Sequence, residues 1–469
     1  MKRIKPYLPA ICIFCLALLV RIGYNLTVAR LYYPLADALG YQLRAFYLLD
    51  EHCYCGAPHQ VTVVRAPLWP FLIAGLSLLV GRANLFDRLF LCCADAGTCV
   101  LIYLFARDLF NKRLGLVAGL LACIYPALYI YTGWMYTEAL FTFLQTATWY
   151  CIYRIQRGAG MSRRLWILCG LLMGLLSLTR PNGILVIGLV ILWAAFLIWR
   201  KRLPKRALLN VGLAVLIAYA VIAPWTLRNY LVSRRFVPVA TGDGEVLMGA
   251  YNDKTVTLKG FLGSWIRPGL AYPKGIYPEG VKPPAPGSCQ GHAACEVAVD
   301  NNETAIAIQW IKSHLNDIPL LMVYHLRNFF TPYTGEADMP LNRFPGGFSS
   351  KIVLAMSETF PIPIFVLAAL GLIVTFRRYW PELCFAYLVV LGTLAEILVF
   401  YGNARFRSPI EPILLLLTAG ALWWLTQTAP GTLRWKLSQR HPSREEHHDS
   451  LPMDTHHNKA TNLRNETVR

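Results

Sequence analysis

Asp37, Tyr41 and Arg44 fall on one face of a helical period in the run Leu35-Ala36-Asp37-Ala38-Leu39-Gly40-Tyr41-Gln42-Leu43-Arg44, while Leu35, Leu39 and Leu43 fall on another. That is the pattern of an amphipathic helix lying on a bilayer surface. It aims a carboxylate at whatever arrives along the membrane. Such a carboxylate is equipped to take a proton from a reacting group. The same face also suits an interfacial helix whose polar side is simply wet.

Guanidinium groups gather near the ends of apolar runs. Arg65 opens Arg65-Ala66-Pro67-Leu68-Trp69-Pro70, Arg228 sits in Ala223-Pro224-Trp225-Thr226-Leu227-Arg228-Asn229-Tyr230, and Arg405 and Arg407 sit in Tyr401-Gly402-Asn403-Ala404-Arg405-Phe406-Arg407-Ser408-Pro409. Arginine offers a planar fork matched to phosphate, and several converging would bind a diphosphate or phosphodiester at headgroup level. A single interfacial arginine needs only an ordinary lipid phosphate to snorkel to. Four at one face, near an aimed carboxylate, describe a dedicated site for an anionic lipid. Arg180, in Leu178-Thr179-Arg180-Pro181-Asn182-Gly183, either joins them or caps a broken helix. Glu138, in Tyr136-Thr137-Glu138-Ala139-Leu140, is an acid at membrane depth and so a functional candidate. It equally favours the positive end of a helix macrodipole. Glu396 lies deeper in its apolar run and needs a partner, for which an arginine is the natural choice.

The elements that must position these groups are membrane spans. The 469 residues are 56% hydrophobic and 15% charged, too apolar for a soluble globule. The sequence predicts an all-α polytopic membrane protein of about ten transmembrane helices. They are expected at residues 7–26, 88–106, 114–132, 135–153, 165–179, 183–199, 207–224, 355–376, 382–401 and 409–426. The opening Met1-Lys2-Arg3-Ile4-Lys5 could start a signal peptide, but no small-residue cleavage site follows, so this segment is read as the first span. The basic clusters at 112–113, 154–164, 200–206, 377–378 and 434–440 then share the cytoplasmic side with the N-terminus. The net charge of +19 is therefore topological in the main and implies no nucleic acid partner.

Asp37 and the arginines named above fall on the external side. Pro67 to Val80 decides this count, because its helix would reach only about 21 Å against about 30 Å of hydrocarbon. It is read as a re-entrant or interfacial helix of the external loop 27–87. A second external region, 225–354, holds a helical pattern from Glu296 to His314 and a short apolar stretch, Ile318 to Phe330, expected to lie against the bilayer. Residues 1–426 form the membrane domain, and the polar 427–469 form a cytoplasmic tail too poor in apolar groups to order itself. Most of the thirteen cysteines lie in apolar runs, where a thiol behaves as a small hydrophobe. Cys53, Cys55, Cys289 and Cys295 lie in external polar segments where disulfides persist; a Cys289–Cys295 clasp fits, and the sequence does not fix the pairing. Gly115 to Gly119 and Gly170 to Gly174 have the spacing of close helix packing. A Gly-rich phosphate loop, His-Glu-x-x-His and Gly-x-Ser-x-Gly are all missing, so nucleotide hydrolysis, zinc proteolysis and serine hydrolysis lack their usual marks.

The order Asp37-Ala-Leu-Gly-Tyr41, Arg65-Ala-Pro67-Leu-Trp-Pro70, Tyr136-Thr137-Glu138, Leu178-Thr179-Arg180-Pro181, Ala223-Pro224-Trp225-Thr226-Leu227-Arg228-Asn229 and Arg405-Phe406-Arg407-Ser408-Pro409 resembles the C-type membrane glycosyltransferases. Within them it is similar to the protein O-mannosyltransferases and lipid A aminoarabinose transferases, over roughly residues 7–426. The resemblance implies a polyprenyl-phosphate-linked sugar as donor and a lipid, glycan or protein as acceptor. It implies transfer at the external face of a bacterial inner membrane. It also implies an acid of the first external loop, here Asp37, as the catalytic group; Glu138 stands beside it as a catalytic candidate on its position at membrane depth alone. Arg65, Arg228, Arg405 and Arg407 become donor-phosphate ligands, and Tyr41, Arg44 and Arg180 complete the expected substrate-binding set. The chain departs from the pattern at Ala38, where many relatives carry a second acid, and at Arg65, where relatives can carry lysine.

The residues support that chemistry independently. A carboxylate deprotonates the acceptor while cationic groups stabilise charge on the departing lipid phosphate. No cofactor is implied; Asp37, Glu138 and His52 or His59 could approach a divalent cation, but their spacing matches no strong ligand pattern. The competing expectation is a lipid-linked sugar flippase that uses the same arginines to move a headgroup without chemistry. It would place its charges in paired broken helices near the midplane.

Overall fold

Each apolar run assigned above is mainly helical. The structure, a computed structural model, describes residues 7–158, 160–271, 291–332 and 347–428. The Cys289–Cys295 clasp involves a residue outside this set, as does nearly all of the 427–469 tail. Residues to Trp424 form one compact unit.

The first span is α1 (Leu8–Thr27), and the loop after it holds α2 (Ala36–Asp50), a short antiparallel hairpin of β1 (Cys55–Ala57) and β2 (Gln60–Val61), and α3 (Leu68–Val80). The helix carrying Asp37 is thus longer than the run that predicted it. Then come α4 (Asn84–Leu109), α5 (Lys112–Ile124), α6 (Pro126–Tyr129), α7 (Glu138–Arg157), α8 (Arg163–Thr179), α9 (Gly183–Trp199) and α10 (Ala207–Ser233). The stretch after α10 holds α11 (Asp243–Ala250), α12 (Asp253–Thr257), α13 (Pro268–Ala271), α14 (His292–Ser313) and α15 (Ile318–Phe330). Helix α14 begins four residues before the predicted pattern. Among the described residues three more helices follow: α16 (Gly347–Thr359), α17 (Pro361–Val399) and α18 (Glu411–Thr428).

Among the described residues, five helices are long and apolar enough to cross a membrane, or six if the bent pair α5–α6 is one span. The protein is an integral, multi-pass membrane protein on that count alone, although not all ten expected spans reach crossing length as single helices. Two of the ten expected spans merge in the 39 residues of α17, about 58 Å of helix and roughly twice the hydrocarbon thickness. Tyr379 leaves helical geometry there beside Pro381, where the ring removes a donor and crowds the preceding turn.

Helix α5 is broken for a comparable reason. Tyr125 precedes Pro126 and is extended (φ −77°, ψ 112°), as sterics before proline require, and the axis turns by 57°. Proline has no N–H for the carbonyl of Ala122, and the turn also withdraws the donor expected by Cys123. Arg21, buried in α1, takes both places: its guanidinium donates to Cys123 O at 2.8 Å and Ala122 O at 3.3 Å. It pairs with Asp95 of α4 at 2.6 Å. Two spans therefore grip the break, and the segment leaving it leads into Glu138. Close packing at the predicted glycines is real: a Cβ on Gly170 would stand 2.5 Å from Ala214 O and one on Gly174 2.6 Å from Val221 Cβ, both on α10.

Candidate active site

Five of the predicted residues form one chain of ion pairs. Arg65 Nη2 lies 2.7 Å from Asp37 Oδ1, and Arg405 Nη1 lies 2.9 Å from Asp37 Oδ2. Nε of the same Arg405 pairs with Glu138 Oε1, which Arg180 Nη1 also reaches at 3.0 Å. Three guanidiniums against two carboxylates leave one net positive charge, suited to an anionic headgroup. Aromatic faces back the cations: Tyr136 lies 4.3 Å beneath Arg405 and Tyr41 5.1 Å beneath Arg65. The two acids differ in access. The Asp37 side chain keeps 29% of its surface exposed, whereas Glu138 keeps none.

These side chains come from segments far apart in sequence: the start of α2, the turn before α3, the first residue of α7, the end of α8 and the 3-10 turn before α18. The backbone at three of these places is unusual. Ala36 (φ 47°), Arg65 (φ 73°) and Met135 (φ 53°) hold the left-handed conformation without being glycine. They adjoin or carry Asp37, Arg65 and the approach to Glu138, and strain of this kind persists where surrounding contacts over-determine it. Around Arg65 those contacts are plain. Thr241 N donates to Val63 O at 3.1 Å, Glu296 accepts from Thr62 Oγ1 at 2.6 Å and Val63 N at 2.8 Å, and Arg44 Nε donates to Val64 O at 3.2 Å.

Burial alone would push the Asp37 carboxyl up, but Arg65 and then Arg405 outweigh it and hold it well below the usual carboxylate range. Asp37 is a carboxylate at any physiological pH. The reverse pressure acts on Arg65: burial disfavours its charge, and Asp37 and Tyr41 more than restore it.

Other predicted residues are engaged elsewhere. Arg228 donates to Thr62 O at 2.7 Å, Tyr54 O at 3.1 Å and Asn229 Oδ1 at 3.1 Å, so it holds the hairpin against α10. Arg407 is fully buried, pairs with Glu411 at 2.6 Å and donates to the carbonyls of Phe329 and Thr331, fastening α15 to α18. Arg44 lies beside Arg65 over Gly40, with Nη1 2.8 Å from Gly40 O. Glu396 takes an amide from Asn182 at 2.8 Å rather than an arginine fork. Among the described residues, Asp37, Glu138 and a histidine do not form a group of three close enough to share an ion. Glu51, Cys53 and Cys55 do converge, with the two sulfurs joined in a disulfide; His59 pairs with Glu51 at 3.4 Å.

Sequence reasoning singled out neither Glu296 nor Tyr54. Glu296 marked only the start of a helical pattern, and nothing local in the sequence shows that it caps a strand end 233 residues away. The buried Arg21–Asp95 pair had an available signal, a cation and an acid within two apolar runs.

Residues 64–227 match the family model described as dolichyl-phosphate-mannose-protein mannosyltransferase. That stretch contains Arg65, Glu138 and Arg180 and stops one residue before Arg228, with Asp37 and Arg405 outside it. The fold resembles that of the C-type membrane glycosyltransferases. The archaeal oligosaccharyltransferase AglB from Archaeoglobus fulgidus, in complex with an inhibitory peptide and a dolichol-phosphate, superposes with a TM-score of 0.53 at 13% identity, over 94% of this chain and 53% of its own. The apo form of the same organism's oligosaccharyltransferase gives 0.51 at 11% identity, over 92% and 52%. This chain thus spans about half the length of those relatives. ArnT from Cupriavidus metallidurans bound to undecaprenyl phosphate is also similar, with a TM-score of 0.42 at 13% identity, over 92% and 81%. No curated protein matches in sequence.

Proposed function

We propose that the protein transfers a sugar from a polyprenyl-phosphate-linked donor to a lipid, glycan or protein acceptor at the external face of a bacterial inner membrane, with Asp37 as general base. The observation that carries this reading is the Asp37 carboxylate clamped between Arg65 and Arg405 with part of its surface open. The family match over residues 64–227 and a fold shared with an oligosaccharyltransferase bound to dolichol-phosphate support it.

A carboxylate so strongly stabilised is a weak base, and the donor resolves the difficulty. Its phosphate competes for Arg65 and Arg405, and each fork turned toward phosphate stabilises the Asp37 anion less and raises its affinity for a proton. Asp37 then takes the proton from the acceptor O–H or N–H as that atom bonds to the anomeric carbon. The bond from that carbon to the phosphate oxygen breaks, its electron pair leaves with the polyprenyl phosphate, and the freed guanidiniums hold the new charge. One displacement inverts the anomeric centre. Glu138, without exposed surface, acts from behind by keeping Arg405 and Arg180 in place.

Asp37→Asn in the purified full chain is expected to abolish transfer, read by mass spectrometry of acceptor products, while polyprenyl-phosphate binding persists. Turnover near the wild-type rate would refute the assignment. Headgroup translocation without product would point to the flippase.

A further inference from the structure

Tyr54 is buried between Cys53 and Cys55, and the reaction proposed above makes no use of it. Its ring stands edge-on to Trp225 at 4.8 Å and stacks with Phe71 at 6.2 Å. Its carbonyl accepts from Arg228 Nη2 and from the Thr62 amide, each at 3.1 Å. The phenol hydroxyl donates to two carbonyls at once, Arg65 O at 3.1 Å and Ala66 O at 3.2 Å. Burial pushes the phenol's ionisation up, so it remains a donor throughout the physiological range.

Those two carbonyls belong to the turn in which Arg65 holds φ 73°. The sign of φ sets where the Cα–Cβ bond points, so relaxation to an ordinary conformation would swing the guanidinium away from Asp37. We propose that Tyr54 is a positioning residue for Arg65: its hydroxyl fastens the strained turn that delivers Arg65 to Asp37 and to the donor phosphate. The Cys53–Cys55 ring closes around Tyr54 on one side and Arg228 ties its carbonyl on the other. Arg228 then serves the phosphate site without touching it. The inference rests on Arg65 being a phosphate ligand, as the proposed function has it.

Tyr54→Phe keeps the ring and its packing and removes only the donor. In the detergent-solubilised full chain, with undecaprenyl phosphate as the titrated probe, it is expected to weaken affinity by about three- to tenfold, the worth of one hydrogen bond. In an Arg65→Ala background the same substitution is expected to change affinity by less than about twofold, because no guanidinium is left to misplace. Opening the ring with Cys53→Ala and Cys55→Ala should weaken affinity in the same direction, again only while Arg65 is present. Unchanged affinity in Tyr54→Phe, or an equal loss with and without Arg65, overturns the inference. A parallel cycle in thermal midpoint reads the coupling of Tyr54→Phe and Arg65→Ala without any ligand. Wild-type chain that fails to bind undecaprenyl phosphate would therefore sink the proposed function, while the stability cycle still decides Tyr54: coupled midpoints support it and additive ones overturn it.

Discussion

Gly40 is the residue on which the fit of the arginines turns. A Cβ there would stand 2.8 Å from Arg65 Nε and 3.3 Å from its Cζ, with Arg44 Nη1 at 3.5 Å. The obstructed atoms are the far end of a flexible side chain, so the protein can yield by moving the guanidinium. Gly40 lies inside α2, where alanine is favoured over glycine by up to about 1 kcal/mol. Gly40→Ala is therefore expected to leave the thermal midpoint level or slightly raised and to slow transfer by about tenfold to a hundredfold, the usual effect of displacing a reacting group by about 1 Å. Steady-state rates beside a melting curve check this, and wild-type turnover would show that Arg65 need not meet Asp37. Residue type alone could not sort the arginines. Arg65, Arg180, Arg405 and Arg407 look alike in sequence, and only their partners divide the three that hold the two site acids from the one that pairs with Glu411.

At the scale of elements, the break between α5 and α6 is held by a buried charge pair. Removing one member leaves the other uncompensated in an apolar interior, at a cost of about 3–5 kcal/mol. Arg21→Met is expected to lower the thermal midpoint sharply, and adding Asp95→Leu is expected to recover part of the loss. The recovery stays partial because the carbonyls of Ala122 and Cys123 still lack the donor that Arg21 supplies. A double variant no more stable than the single one, in detergent melting curves, would contradict this account. Helix types and approximate positions were readable because apolar runs in a bilayer must satisfy their own backbone hydrogen bonds. The gripped break was not, because Arg21 and Asp95 are 74 positions apart and each alone reads as an anomaly within its span.

Across the whole molecule, the segment from α11 to α14 folds back on the segment between α1 and α4. Glu296 of α14 secures the end of β2, and Asp300 accepts from the amides of Gly242 and Gly244 at 3.0 Å and 2.8 Å. Acids crowd this junction. Burial, with Glu245 and Asp300 adding to it, pushes the Glu303 carboxyl up to about 7, and burial likewise raises Asp243 and Asp300. A carboxyl raised in the folded state binds more protons there than in the unfolded chain, so stability falls as pH rises from its usual value, roughly 4.3, to about 7. The thermal midpoint is expected to climb as pH is lowered from 7 to 5, and Glu303→Gln to flatten that slope. Identical slopes for the two proteins would remove Glu303 from the explanation. The depressed Asp37 adds no slope in this window, since the stability its pairing confers is constant above the ordinary carboxylate range and is lost only as pH falls through that range and below it.

The sequence by itself determined the polytopic helical class, the helix after the first span as the carrier of Asp37, and the set of charged side chains from which a site must be drawn. These follow from hydropathy, period and charge, which act over one or a few helical turns. Tertiary structure decided which charges meet: Asp37 with Arg65 and Arg405, Glu138 with Arg405 and Arg180, Arg407 with Glu411. It also decided that Arg228 holds a hairpin rather than joining that chain of ion pairs. An ion pair forms over a few ångströms between residues as many as 368 positions apart, and no local pattern encodes that distance.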